Sequence, residues 1–111
     1  MASEPEPQLK PLLEHYGAFW ESTAAPFFDS LYRTAGLDRK TQELAIVALL
    51  TLRGWETGVR THVPLALEAG ATPQEIRGAI LITLGVGGVT AVASGLAFAE
   101  PILKEWESQR L

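Results

Sequence analysis

His62 and Glu43 are the side chains in this 111-residue chain best suited to proton chemistry. An imidazole titrates near neutral pH, so His62 can take or give a proton at carbon, and Glu43 can orient the ring or share that proton. Plainer roles are open to both. A histidine within a helix often only packs, and a carboxylate near a helix start gains from the positive helix end. Glu56 and Arg60, four residues apart, suit a surface ion pair, while Arg60 is also a cation able to hold a substrate carboxylate. His15, with only Glu14 for polar company, reads as a surface residue. The chain has no cysteine, which removes disulfides, thiol nucleophiles and thiolate metal sites together. Two distant histidines without His-x-x-x-His or Glu-x-x-His spacing supply no metal ligand set. The run Leu84-Gly85-Val86-Gly87-Gly88 is a poor phosphate cradle, because no strand precedes it and no Gly-Lys-Ser follows.

Helices must position these residues, since sustained period-two alternation and Asn-Gly or Asp-Gly hairpin turns are absent. Leu9, Leu12, Leu13 and Tyr16 keep helical spacing up to Gly17. An aromatic-rich helical region follows, with Pro26 as a break or restart and Gly36 as its C-terminal cap. Asp38 reads as the N-cap of a helix carrying Leu44, Ile46, Val47, Leu49, Leu50 and Leu52. That apolar set covers more than one face and predicts a central helix buried on most sides. Gly54 ends it. The next helix, about Trp55 to Ala69, lines up Trp55, Val59, His62 and Ala66, with Pro64 predicted to bend it. Gly70-Ala71-Thr72-Pro73-Gln74-Glu75 is the clearest boundary: a closing glycine, a threonine cap, a first-turn proline and a capping-box glutamate. A helix from Pro73 to about Leu84, a glycine turn and a last helix from about Val89 to Glu107 complete the chain. Gly87, Ala91, Gly95 and Ala99 recur every four residues, which lets another helix approach closely, within the subunit or across a subunit boundary. The expectation is an all-α, single-domain bundle of about six helices over residues 8–111, after a flexible tail at 1–7.

Composition narrows the partners. One domain is the natural reading of this length, and 47% apolar with 20% charged residues is ordinary for a folded globular chain. A net charge of −4 supplies no basic surface for nucleic acid, so none is expected. The N-terminal Met1-Ala-Ser-Glu-Pro-Glu-Pro lacks the apolar core of a signal peptide, and a cytoplasmic location is expected. Residues 78–99 carry no formal charge and are long enough to span a bilayer, but Gly85, Gly87 and Gly88 interrupt them. Two buried helices meeting at a glycine turn is the better reading, with no membrane role. A chain of this size buries only roughly 65% of its unfolded surface, so self-association is expected.

The order Leu37-Asp38-Arg39-Lys40-Thr41-Gln42-Glu43-Leu44-Ala45-Ile46, Gly54-Trp55-Glu56, His62, then Ala69-Gly70-Ala71-Thr72-Pro73-Gln74-Glu75-Ile76 resembles the carboxymuconolactone decarboxylase family. That superfamily includes the alkylhydroperoxidase-D-like thiol enzymes, and the similarity runs over roughly residues 8 to 105. The resemblance implies an all-helical subunit assembling as a homotrimer or homohexamer, with a small-molecule pocket near a subunit interface. In the thiol branch a glutamate precedes a Cys-x-x-Cys pair by twelve residues, and a histidine follows the second cysteine by four. Glu43 and His62 match those two positions, whereas Trp55 and Gly58 occupy the cysteine positions. Peroxide reduction through such a site is excluded because no thiolate exists. The resemblance then points to the cysteine-free branch and a cofactor-independent carboxy-lyase. It would use His62 and Glu43 as catalytic residues, with Trp55, Gly58 and Arg60 at the substrate. A catalytically silent oligomeric binding protein on the same fold is the alternative.

Overall fold

Helix ends fall where the glycines and caps place them. In the computed structural model, which describes residues 6–110, every element is helical or a turn, the all-α class expected. Gly36, Gly54 and Gly70 take φ of 72°, 74° and 99°, the left-handed region that glycine enters without a Cβ penalty. Residues 1–5 of the expected tail, and Leu111, lie outside the described residues. The chain divides into two compact units at Asp38 and Arg39.

The first unit begins with a short 3₁₀ turn, Pro7–Leu9, and continues as helix α1, Lys10–Phe19, and helix α2, Ala25–Ala35. Gly17 does not end α1. The departure from helical dihedrals comes one residue earlier, at Tyr16 (φ −130°, ψ 24°), and the chain then resumes. A widened π turn, Trp20–Ala24, links α1 to α2, and Pro26 sits in the first turn of α2. The missing proline N–H is accommodated there, so Pro26 is a restart of the kind expected. Phe28 lies 5.8 Å from Trp20, 5.4 Å from Phe27 and 6.1 Å from Tyr32, ring centroid to centroid. Even so, none of these helices contains a buried residue.

The second unit holds the packed core. Helix α3 spans Arg39–Arg53, α4 Glu56–Glu68, α5 Pro73–Leu81 and α6 Leu84–Ser108. Val47, Val59, Val63, Ala66, Ile76, Ile80, Ala99 and Leu103 are fully enclosed. Between α4 and α5, Ala71 N donates to Ala66 O across Gly70. The capping box is complete: Thr72 Oγ1 accepts from Glu75 N at 3.0 Å, and Glu75 Oε1 accepts from Thr72 N at 2.9 Å.

Three details depart from the sequence reading. Helix α3 is not buried on most sides. Only Glu43, Val47 and Thr51, four apart, are buried on it, while Leu49 stays 66% exposed. A stripe of that spacing covers one face; Leu44 and Leu50 beside it pack partly buried against the core, while Leu49 lies on the exposed side. Helix α5 stops at Leu81 rather than Leu84, because Thr83 N and Thr83 Oγ1 both donate to Ile80 O and tighten the last turn. The glycine turn is itself mostly helical. The break is at Gly88 (φ 81°, ψ −176°), and α6 continues beyond it, burying Val92, Gly95, Ala99 and Leu103 along one stripe. By length and composition alone α6 could cross a membrane, yet this stripe packs into the protein core.

The small-residue stripe on α6 is used within the chain at Gly95. A Cβ there would lie 2.6 Å from Thr51 Cγ2 and 3.0 Å from Ile80 Cγ2, so glycine is what lets α6 approach α3 and α5 this closely. The Thr51 hydroxyl, pressed into the same contact, has no hydrogen-bond partner among the described residues.

Candidate active site

Glu43 lies near the start of α3 and His62 midway along α4, and Gly54 turns the chain between them. Reversal at Gly54 folds the two helices back on each other and brings residues nineteen apart into contact. His62 Nδ1 sits 3.0 Å from Glu43 Oε1. The carboxylate side chain is 3% exposed and the imidazole 25%, so the pair has a buried end and an end open to a reactant.

Burial pushes the Glu43 carboxyl upward, but the hydrogen bond and charge of His62 outweigh it, helped by the Gln42 amide and Arg39. The net result lies below the ordinary value of 4.5, and Glu43 is an anion at neutral pH. Gln42 Nε2 donates to Glu43 Oε2 at 3.4 Å, which occupies the second oxygen. An ionised Glu43 accepts only, so Nδ1 must donate to it. That fixes the tautomer. In the neutral ring Nε2 is the basic nitrogen, and in the charged ring Nε2–H is the acid.

The other expected site residues are placed as follows. Arg60 Nη1 lies 3.4 Å from Glu56 Oε2 on the exposed face of α4, the i,i+4 ion pair that the spacing allows. Trp55 is the N-cap residue of α4 and remains 39% exposed. Gly58 is buried beneath it, and a Cβ at Gly58 would lie 2.7 Å from Trp55 Cε3 and 2.7 Å from Leu50 Cδ2. The two positions that hold thiols in the thiol branch are thus filled by one indole lying over one glycine. A surface cavity of about 320 Å³ is lined by Arg53, Gly54 and Trp55, and neither His62 nor Glu43 lines it. Sequence reasoning missed Gln42, whose role depends on the rotamer of a neighbour, and Arg53, which carried no motif.

The sequence profile of the carboxymuconolactone decarboxylase family matches residues 19–101. The chain belongs to that family. An uncharacterized 15.0 kDa protein of the nqo9–nqo10 intergenic region of Paracoccus denitrificans is 29% identical over 112 aligned positions, covering 91% of this chain and 84% of that protein. No solved structure matches the chain significantly. The family includes decarboxylases, and this member, without a cysteine, lacks the group that thiol peroxidase chemistry requires.

Proposed function

We propose that this carboxymuconolactone decarboxylase family member is a cofactor-independent carboxy-lyase acting on a carboxylated small molecule. The reading is carried by the Nδ1–Oε1 contact of 3.0 Å between His62 and a buried, ionised Glu43. In the reaction the bond from carbon to the substrate carboxylate breaks, CO₂ leaves, and the electron pair stays on carbon. Protonated His62 delivers its Nε2 proton to that carbon and regains one from water. Glu43 stabilises the imidazolium that precedes transfer and keeps Nε2 facing outward. Trp55, Gly58 and Arg60 belong to the substrate side of this proposal.

The test is direct. Purified protein is incubated with a panel of carboxylated lactones and related unsaturated acids while CO₂ release is followed. Turnover that disappears in His62→Ala supports the proposal; no turnover across the panel, or turnover unaffected by that change, overturns it. A silent binding protein on the same fold is the second reading, favoured by the cavity at Arg53 and Trp55 that His62 does not line.

Assembly as a trimer or hexamer belongs to the same proposal. It is supported by Leu49, Ile82, Val86 and Val89, exposed at 66%, 75%, 82% and 74%, because apolar surface on this scale is what subunit contacts cover. Sedimentation equilibrium at micromolar concentration is expected to exceed the 12.0 kDa of one chain, and a clean monomer contradicts it.

A further inference from the structure

We propose that the cavity at the α3–α4 turn is a carboxylate site for a small planar molecule, with Arg53 as the anion-recognising residue and Trp55 as the stacking wall. Three observations meet there. Among the described residues, Arg53, Gly54 and Trp55 line the cavity of about 320 Å³, a cation and an aromatic ring on either side of a residue without a side chain. Gly54, with φ of 74°, reverses the chain so that residues 53 and 55 flank one opening. The indole is braced from behind, because Gly58 leaves room for Trp55 Cε3 against α4 while Leu50 closes the same side. It is therefore a fixed wall that keeps 39% of its surface exposed.

Arg53 is an exposed cation whose side chain has no hydrogen bond or ion pair among the described residues, unlike Arg60 and Arg77. A guanidinium presents a planar fork that fits a carboxylate in two-point fashion, and an indole face favours a flat, conjugated body. Pockets for small ligands begin at roughly 300 Å³, so this opening suits about one ring with its carboxylate. His62 lies seven residues along α4 from Trp55, roughly 10 Å at 1.5 Å per residue. Trp55 is shared with the substrate side of the proposed lyase, but neither His62 nor Glu43 lines the cavity, so its occupancy can be read without turnover.

Benzoate is the probe, because it is planar, anionic and has no labile carboxyl group. The Trp55 indole N–H, assigned in the ¹H–¹⁵N spectrum by its loss in Trp55→Phe, should shift saturably on titration. Benzamide, the neutral counterpart, should bind at least about tenfold more weakly, as should benzoate to Arg53→Gln. Arg53→Lys keeps the charge but not the fork and should fall between wild type and Arg53→Gln. Lys104→Gln removes one positive charge elsewhere and should leave the titration unchanged. Inorganic phosphate should compete weakly, having charge but no ring. Equal affinity for benzoate and benzamide, an unchanged titration in Arg53→Gln, or phosphate binding as tight as benzoate overturns the proposal. Loss of CO₂ release without loss of benzoate binding removes the lyase reading alone.

Discussion

Two clusters of carboxylate and base tie helices together in the second unit, and they are built on opposite terms. Glu43 and His62 join α3 to α4 through one contact with a nearly enclosed carboxylate. Arg77 joins α5 to α6 through four hydrogen bonds, two to Glu100 at 2.8 and 2.9 Å and two to Glu107 at 3.0 and 3.1 Å. Those three side chains are 32%, 26% and 46% exposed, so solvent and salt screen them. The hydrogen bonds to Glu100 and Glu107 raise the Arg77 guanidinium above its already high value, and the contacts with Arg77 lower both carboxyls. Many exposed bonds make a clamp; one enclosed bond that leaves the second ring nitrogen without a partner among the described residues is what the proposed proton transfer requires. The contrast teaches that a count of polar contacts does not rank the two clusters for that proposed role.

The largest expected effect lies at the enclosed pair. His62→Ala should lower turnover on the order of 10²–10⁴-fold while circular dichroism and assembly state stay unchanged. Equal losses of stability and turnover would instead make His62 a packing residue. Gly95→Leu should come next, costing about 3 kcal/mol in denaturant unfolding by driving a side chain into Thr51 and Ile80. It disturbs the packing on which both clusters depend, so both should suffer together.

Glu43→Gln keeps the shape and removes the charge, and its loss of turnover should be smaller than that of His62→Ala. It also has a pH signature. The folded Glu43 carboxyl lies below its ordinary 4.5, so its stabilisation is complete above that value and is lost as pH falls through the lower folded value. The variant should therefore unfold less steeply in acid than the wild type, and coincident acid limbs would count against this assignment. Arg77→Gln should lower the thermal midpoint by a few degrees without touching turnover, and the difference should shrink in high salt. A salt-independent loss would mean that the clamp is less solvated than its exposure indicates. Arg60→Gln should shift the midpoint least, since a local exposed pair with Glu56 contributes little.

Local chemistry was legible in advance because it acts within a few residues. The Thr72–Glu75 capping box, the Gly36, Gly54 and Gly70 helix ends and the Glu56–Arg60 pair each depend on neighbours in the chain. Glu43 and His62 were legible as candidates through residue type and the family spacing. The Arg77 clamp had a faint signal, since Glu100 and Glu107 are seven apart and share a helix face, but nothing linked that face to residue 77.

The sequence by itself determined the all-α class, the helix boundaries to within a few residues, the absence of thiol chemistry and the pair of residues worth testing. Tertiary structure decided the rest. It set which face of α3 is buried, so that Leu49 is left exposed and Glu43 enclosed, and it spent Gly95 inside the fold. It also brought Nδ1 of His62 to Glu43 across nineteen residues, which selects the tautomer and makes Nε2 the ring nitrogen not engaged by Glu43. The division has one physical cause. Capping, helix propensity and charge spacing act along a few residues of chain, whereas burial and hydrogen bonding between helices depend on how whole faces pack.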